Sequence, residues 1–254
     1  MRAKKHLGQN FLQDASVIGG IVAALELTSE DTVLEIGPGM GALTEELLKK
    51  AANVVAIEFD RDMVSHLRQR FATAKNLSVL QADALTVDLS DLPQHGVKLA
   101  ANLPYYISTP ILQRLANERE RFSSMVLMFQ KEVVDRILAP AGSSERGFLT
   151  VIVENSFDSK RLFDVPPEAF SPRPKVMSSV VRLTPKRSVV KPEILEPLLS
   201  LAFRQKRKTI SNNLKGHVPD HLKVLDRAGV DQGRRAETLT LEEWRDLSEA
   251  IAEK

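Results

Sequence analysis

The segment Asn102-Leu103-Pro104-Tyr105 holds the groups that a methyl transfer to a planar amine requires. The amine of adenine is a poor nucleophile because its lone pair is delocalised into the ring. The Asn102 side-chain oxygen and the Leu103 backbone carbonyl can accept its two N–H bonds and turn the lone pair toward an electrophilic methyl carbon. Pro104 would stiffen this loop, and Tyr105 offers an aromatic face on which a base can stack. The motif predicts catalysis by positioning, without a metal, on an amine of an RNA or a DNA base.

A glycine-rich segment provides the candidate cofactor site. Residues 35–42 have the sequence Glu-Ile-Gly-Pro-Gly-Met-Gly-Ala and lie between a predicted strand and a predicted helix. Gly37 and Gly39 allow a sharp turn and let a ligand approach the backbone closely. Glu58, at the end of the next predicted strand, can accept hydrogen bonds from ribose hydroxyls. Both a dinucleotide and S-adenosyl-L-methionine satisfy this pattern, so the glycine loop alone leaves the cofactor open.

Two further carboxylates favour S-adenosyl-L-methionine over a nicotinamide cofactor. Glu35 directly precedes the glycine loop, a pattern common in methyltransferases of this fold. Asp83 follows the third predicted strand and is placed to accept a hydrogen bond from the cofactor's adenine amine. The competing interpretation of Asp83 is a turn or helix-cap residue. A nicotinamide-dependent oxidoreductase stays as an alternative, although nothing after the glycine loop supports it.

The elements that must position these residues follow a βαβ pattern. Apolar runs alternate with segments of helical periodicity, such as 41–50 and the residues leading to Arg70, which is typical of a parallel sheet covered by helices on both faces. The fold class is therefore predicted as α/β, a Rossmann-like fold of the S-adenosylmethionine-dependent methyltransferase type. The five apolar runs that predict its strands are Thr32–Ile36, Asn53–Glu58, Leu77–Ala82, Val97–Ala101 and Met125–Phe129.

The second half of the chain changes in pattern and composition. Leu162–Val165 and Ser178–Leu183 are apolar or β-branched runs with a Pro-rich connection, and they predict a hairpin-like pair that closes the sheet. From about residue 192 the periodicity is helical, with breaks near residues 216 and 229. We therefore predict an α/β domain over residues 1–184 and a small all-helical domain over residues 185–254.

The charge is unevenly distributed although the net charge is only +2. Residues 30–100 hold seven Lys and Arg against eleven Asp and Glu, whereas residues 184–216 hold eight against two. A basic segment beside an acidic body predicts a polyanionic partner, and the competing interpretation is a solvated basic helix face. The cationic cluster that would contact phosphates consists of Arg204, Lys206, Arg207 and Lys208.

Several classes of function are excluded by composition. The chain contains no cysteine, which excludes disulfides, thiol catalysis and cysteine metal sites. No apolar run approaches the roughly 20 residues that a membrane helix needs, so no membrane partner is expected. The basic start of the chain has no apolar segment behind it and does not resemble a secretory signal.

Taken together, the motifs resemble those of the ribosomal RNA adenine dimethyltransferases, in particular the small-subunit branch linked to kasugamycin sensitivity. The resemblance covers nearly the whole chain. One departure is Tyr106, where many relatives carry Asn, and it leaves the packing of the site loop open. Beyond Glu58 and Asp83, the segments that carry the resemblance are Gly8–Leu12, Gly37–Gly41, Asn102–Tyr105, Phe170–Val176, Phe203–Lys208 and Asn212–Leu214.

The resemblance implies a role for each of these segments. Asn10 and Leu12 should close over the cofactor from the N-terminal side. Phe170 should stack on the target adenine opposite Tyr105, which gives an aromatic sandwich for a base outside its stack. The main cofactor pocket should be formed by Gly37, Gly39, Glu58, Asp83 and Asn102.

The resemblance also implies the substrate. Members of the family dimethylate two adjacent adenosines in a 3'-terminal hairpin of small-subunit (16S) ribosomal RNA, on an assembling subunit, and the helical domain should help to recognise that RNA. A monomer in the cytoplasm is the expected state. Two alternatives stay open: an assembly or RNA-binding factor in which methylation is secondary, and a large-subunit adenine methyltransferase that confers macrolide resistance.

Overall fold

The computed structural model describes residue 4 and residues 9–104 and 107–252. Within these residues the chain forms nine strands and ten α-helices. The strands are β1 (Phe11–Leu12), β2 (Thr32–Ile36), β3 (Asn53–Glu58), β4 (Leu77–Gln81), β5 (Val97–Asn102), β6 (Phe122–Gln130), β7 (Phe157–Val165), β8 (Phe170–Ser171) and β9 (Ser178–Pro185). The helices are α1 (Ala15–Ala24), α2 (Ala42–Leu48), α3 (Arg61–Arg70), α4 (Ser108–Asn117), α5 (Lys131–Ile137), α6 (Phe148–Ser156), α7 (Pro192–Ala202), α8 (Ile210–Leu214), α9 (His221–Arg227) and α10 (Leu241–Ala252).

The chain divides into two compact units, and the division differs from the predicted boundary in one segment. The first unit comprises Met1–Val134 and Ser159–Pro185, and the second comprises Asp135–Asp158 and Lys186–Lys254. The change near residue 185 lies where composition places it, but residues 135–158 belong with the C-terminal helices. The physical reason is α6, which buries side chains all around its axis and packs against α7 and α10.

The first unit is built on a seven-stranded sheet with the order β4-β3-β2-β5-β6-β9-β7. The five strands from β4 to β6 are parallel, and β9 pairs antiparallel with β6. In β2, neighbouring residues point to opposite faces, and Val33 and Leu34 are both fully buried. Both faces of the sheet are therefore covered, as the continuous apolar runs predict. The predicted mostly parallel α/β fold is confirmed.

A core layer formed by α1 and α2 covers one face of this sheet. The core includes Ile21 of α1 and Leu47 of α2, which are fully buried against Val33 of β2. Asp14 fixes the start of α1 because its carboxylate accepts hydrogen bonds from the backbone of Ser16 and Val17. The glycine loop lies between β2 and α2, so the packing of α2 on β2 fixes both ends of this loop.

A second, two-stranded sheet joins β1 to β8 in antiparallel register, with Phe11 opposite Ser171 and Leu12 opposite Phe170. The backbone N–H groups of Gln13 and Asp14 extend the connection by donating to the carbonyl of Ala169. Sequence periodicity did not predict this pairing, because two-residue strands leave no repeat to detect. This pairing places the N-terminal segment, residues 9–14, beside Phe170, which the resemblance expects to stack on the target adenine.

The second unit is a helical cluster around α7. Trp244 of α10 is fully buried, and its ring lies 5.9 Å from that of Phe203 at the end of α7. The buried Asn155 amide bonds to the backbone of Val190, which fastens α6 to the segment before α7. A small helical region at the C-terminal end is thus present, as predicted.

The described residues offer neither a membrane span nor a metal site. None of the helices in this part of the chain combines the length and the apolar character that crossing a bilayer demands. Likewise, three or more His, Asp or Glu side chains nowhere converge in it in a way that could hold a metal ion.

Candidate active site

A cleft opens at the carboxyl ends of β2, β3 and β5 in the first unit. Parallel α/β sheets bind ligands at this edge, where strand order reverses. Here the chain runs from β2 outward to β3 and β4 on one side and then returns to place β5 on the other side of β2. The walls come from the N-terminal segment, the glycine loop, the end of β3, the loop after β5, and β8.

The glycine loop forms the floor of the cleft in a backbone conformation that requires glycine. Gly37 has φ of +71° and Gly39 has φ of +54°. A Cβ atom at Gly37 would lie 3.2 Å from the Asn102 carbonyl, and one at Gly39 would lie 3.0 Å from the Phe11 ring. The loop is therefore pressed against both the β5 strand end and the N-terminal segment.

Glu58 is the carboxylate of the cleft, and it is 8% exposed. Its Oε2 accepts the backbone N–H of Gly39 at 3.1 Å, and its Oε1 accepts that of Asp60 at 2.9 Å. Burial raises the pKa of Glu58, while these backbone bonds act in the opposite direction. Each oxygen has a second lone pair, so the ionised group can accept two more donors, such as vicinal hydroxyls.

Glu35 lies fully inside the protein, close to Glu58 but outside the wall of the cleft. Its Oε2 accepts a hydrogen bond of 2.7 Å from the hydroxyl of Thr44, and among the described residues its Oε1 has no partner. Burial raises the pKa of Glu35 to about 7. Glu35 is therefore a buried acid beneath the glycine loop that titrates near neutrality.

Asn102 ends β5 at the edge of the cleft, and its amide orientation is set by a neighbour. Nδ2 donates to the backbone carbonyl of Asn10 at 3.4 Å. A backbone carbonyl can only accept hydrogen bonds, so the atom of the Asn102 side chain that faces Asn10 is the nitrogen Nδ2. The oxygen Oδ1 is thereby left as an acceptor. Leu103 and Pro104 follow in the same wall, whereas Tyr105 lies outside the described residues.

Phe170 contributes an aromatic side chain to the wall of the cleft. It is 4% exposed, lines the cleft and pairs through its backbone with Leu12. The aromatic ring is therefore held between the N-terminal segment and the space where a ligand would enter. A flat ligand that enters here would meet an aromatic side chain as well as the acceptors of the Asn102 loop.

The predicted catalytic and cofactor residues that the structure describes line this cleft, apart from Asp83. Its Oδ1 accepts the backbone N–H of Leu85 at 2.9 Å in an exposed turn, and it is absent from the cleft wall. The sequence assigned no role to Gln9, Met40 or Phe59, of which Phe59 is 60% exposed. The predicted residues in the wall are Asn10, Leu12, Gly37, Gly39, Glu58, Asn102, Leu103, Pro104 and Phe170.

The predicted phosphate-binding cluster lies in the second unit, in the turns between α7 and α8. Arg204, Lys206, Arg207 and Lys208 are all exposed. The buried amide of Asn213 donates to the carbonyls of Ala202 and Gln205 and thereby fixes the backbone of this turn. The cluster is thus an exposed cationic turn whose backbone is held by Asn213, and it is not one face of a helix.

The chain is similar over its length to proteins of known name. A sequence model of the family described as ribosomal RNA adenine dimethylase matches residues 1–253. A ribosomal RNA small subunit methyltransferase A from Laribacter hongkongensis is 45% identical over 99% of this chain and 97% of its own. The protein of the same name from Legionella pneumophila is 44% identical over 98% of each chain.

Two solved structures are similar across the whole chain. A dimethyladenosine transferase from Plasmodium falciparum has a TM-score of 0.82 and 30% identity over 93% of this chain and 95% of its own. The 23S rRNA methyltransferase ErmE has a TM-score of 0.71 and 28% identity over 96% of this chain and its full length.

Proposed function

The chain belongs to the ribosomal RNA adenine dimethylase family, and we propose that the cleft of its first unit carries out the methyl transfer. The protein transfers methyl groups from S-adenosylmethionine to the exocyclic amines of two adjacent adenosines in a terminal hairpin of small-subunit ribosomal RNA. The observation that supports this assignment most directly is the Asn102 amide, which Asn10 orients with its oxygen as an acceptor at the edge of the cleft.

The residues of the cleft fit a nucleoside that carries a charged aliphatic tail. The Glu58 carboxylate has free lone pairs for the two ribose hydroxyls, and Phe59 offers an exposed apolar surface beside it. The glycine loop brings backbone, without side chains, to the floor of the cleft. When bound, S-adenosylmethionine supplies a methyl group on a sulfonium centre, which is the electrophile of the reaction.

The catalytic contribution of the chain is to hold the adenine amine. Asn102 Oδ1 and the Leu103 carbonyl accept its two N–H bonds, which forces the nitrogen toward tetrahedral geometry and exposes its lone pair. Phe170 stacks on the base, and the family resemblance implies that the Tyr105 ring also stacks on it. The nitrogen gains a bond to the methyl carbon as the carbon–sulfur bond breaks, and a proton then leaves the amine for water.

The same acceptors serve the second transfer to each adenosine. A monomethylated amine keeps one N–H bond, so a single acceptor suffices to orient its lone pair. Asp83 would accept a hydrogen bond from the adenine amine of the cofactor, because the Leu85 N–H occupies only Oδ1 and leaves Oδ2 as an acceptor.

The cationic turn between α7 and α8 gives the protein its second contact with the substrate. Arg204, Lys206, Arg207 and Lys208 would bind phosphates of the RNA, which adds salt-sensitive affinity without reading sequence. Selection of one hairpin would then depend on shape and on splayed bases. We place the protein, as a monomer, on the assembling small subunit, in the cytoplasm if the source is bacterial.

The test is methyl incorporation from labelled S-adenosylmethionine into unmethylated small ribosomal subunits. Large subunits serve as the substrate control, and Asn102→Ala serves as the catalytic control. We expect dimethyladenosine in small subunits only and loss of label in the variant, with RNA binding retained. Label in large-subunit RNA would instead assign the protein to the macrolide-resistance branch. Bound cofactor without label in either subunit would favour an assembly factor.

A further inference from the structure

One buried carboxylate, that of Asp60, ties the N-terminal segment to the loop after β3. The Asp60 side chain is 2% exposed. Its Oδ1 accepts the Lys4 ammonium at 2.6 Å, and its Oδ2 accepts the Gln9 amide at 2.9 Å. Lys4 and Gln9 are joined to each other as well, because the Lys4 backbone N–H donates to Gln9 Oε1 at 2.8 Å. Two residues near the start of the chain and a third more than 50 positions later thus form one closed set of bonds.

Asp60 is also linked through its backbone to Glu58, the carboxylate that is proposed to bind the ribose of the cofactor. The Asp60 N–H donates to Glu58 Oε1, while Gly39 donates to Glu58 Oε2. Gln9, Glu58 and Gly39 all line the cleft, but Asp60 does not. Asp60 therefore joins the N-terminal wall of the cleft to the wall that contains Glu58 without touching the space between them.

This tie adds to the anchors that residues 9–14 already have, namely the pairing of β1 with β8 and the bonds of Gln13 and Asp14 to Ala169. The regular structure of these residues is the two-residue strand β1, and holding each residue of such a segment costs about 1–2 kcal/mol of conformational entropy. A buried carboxylate with charge-assisted bonds can offset that cost, since such bonds are about twice as strong as neutral ones. Without Asp60, Gln9 would lose the bond that fixes its side chain in the cleft, whereas Asn10 would keep its contact with Asn102.

From this geometry we propose that Asp60 is a positioning residue that holds the N-terminal segment against the cofactor cleft, with Lys4 and Gln9 as its partners. The proposal rests on the proposed function in that the cleft binds S-adenosylmethionine. It assigns Asp60 an effect on cofactor affinity and none on the transfer step, because its side chain touches neither the cleft nor the Asn102 loop.

Asp60→Asn separates this role from the other one that Asp60 has. Asp60 also caps α3 by accepting the Asp62 N–H on Oδ1, and Asn is an equally good cap. The substitution thus preserves the cap but replaces the Oδ2 acceptor of Gln9 with a donor and removes the charge that binds Lys4. Lys4→Met removes the other end of the ion pair without changing α3.

Asp62→Asn is the matched control, because Asp62 pairs with the same lysine but is 65% exposed and has no bond to Gln9. For Asp60→Asn we expect KM for S-adenosylmethionine to rise about 10-fold, the loss of one hydrogen bond to a charged group, with kcat at saturation unchanged. Lys4→Met should change KM in the same direction, and the double variant should add little. Asp62→Asn should stay close to the parent protein.

Hydrogen exchange and calorimetry complete the test. In Asp60→Asn, amides of residues 9–14 should exchange faster while those of β2 do not, and calorimetric titration should show weaker S-adenosylmethionine binding. A KM equal to that of Asp62→Asn, or a parallel loss of kcat and thermal stability, would overturn the proposal. If the parent protein binds S-adenosylmethionine but methylates no RNA, the proposed function fails while the calorimetric comparison still decides the role of Asp60.

Discussion

The hydroxyl of Thr44 donates a hydrogen bond of 2.7 Å to Oε2 of Glu35, and both side chains are fully buried. The other oxygen of Glu35 has no partner among the described residues. Burial raises the pKa of Glu35 to about 7 and the negative charge of Glu58 acts in the same direction, whereas the hydrogen bonds from Thr44 oppose the shift. The stability of the first unit should therefore depend on pH through this residue.

Relative to the parent protein, the Glu35→Gln variant should be more stable at pH 8 than it is at pH 5. The folded-state pKa is above the ordinary value of 4.5, so the favourable contribution of the neutral acid is present at low pH and is lost as pH rises toward 7. The amide of the Glu35→Gln variant would stay neutral throughout. The difference in unfolding free energy between Glu35→Gln and the parent should grow by about 2–3 kcal/mol from pH 5 to pH 8, measured by urea unfolding with circular dichroism.

Glu45→Gln is the control for that experiment, because Glu45 belongs to the same helix as Thr44 but its side chain is exposed. It should show the same difference from the parent protein at both pH values. A constant difference for Glu35→Gln would mean that Glu35 is already ionised at pH 5, contrary to its buried position.

Cofactor affinity should weaken at low pH because of Glu58. Burial raises the pKa of Glu58 above 4.5, and only the ionised form accepts hydrogen bonds on both oxygens while also holding Gly39 and Asp60. Protonation would therefore remove acceptors for the ribose hydroxyls. In calorimetric titrations, S-adenosylmethionine should bind more weakly at pH 5 than at pH 8.

Glu58→Gln should weaken cofactor binding about 10- to 100-fold at pH 8 and flatten its pH dependence, since hydrogen bonds to charged groups contribute about 1.5–3 kcal/mol each. Unchanged affinity in this variant would remove Glu58 from the cofactor site. An affinity that still falls at low pH in the variant would assign the pH dependence to another group.

Much of the fold could be predicted from apolar runs, because strands buried on both faces leave a continuous signal. Predicted strands such as Thr32–Ile36 and Asn53–Glu58 have the bounds that the structure shows. The sheet β1–β8 and the Asp60 network could not be predicted, since they depend on contacts between residues more than 50 positions apart. The cofactor role of Asp83 after β4 stays a prediction, since its Oδ1 accepts a bond from its own turn and its Oδ2 is a further acceptor.

Gly39→Ala should weaken cofactor binding more than it destabilises the fold. Alanine at φ of +54° costs about 1–2 kcal/mol, and its Cβ would also displace the Phe11 ring at 3.0 Å, moving the N-terminal wall of the cleft. Gly96→Ala is the matched control, because Gly96 also has a positive φ but has no atom within 4 Å of a new Cβ. Thermal unfolding should shift similarly in both variants, whereas calorimetry should show weaker S-adenosylmethionine binding only in Gly39→Ala.

Phe170→Leu should lower kcat/KM for RNA by about 5- to 150-fold, the equivalent of one base–aromatic stack of about 1–3 kcal/mol. Phe163→Leu provides the control, since Phe163 packs against Gly20 in the same unit but does not line the cleft. Both variants should lose some stability, but only the first should slow methylation of small subunits under subsaturating RNA. Equal kinetic effects would mean that Phe170 acts through the fold alone.

Arg207→Gln should weaken RNA binding and reduce its salt dependence while leaving cofactor affinity intact. Each phosphate contact contributes roughly 0.7–0.9 to the slope of log K against log salt concentration, so removal of one contact should lower the slope by about that amount. Lys223→Gln is the control, because Lys223 is an exposed cation in the same unit on α9, outside the cationic turn. Slopes measured between about 50 and 200 mM salt, the range where such effects are large, would decide the role of the turn. If both variants change the slope equally, the attraction is a property of the net charge and not of this turn, because a local phosphate contact is lost only when its own cation is removed.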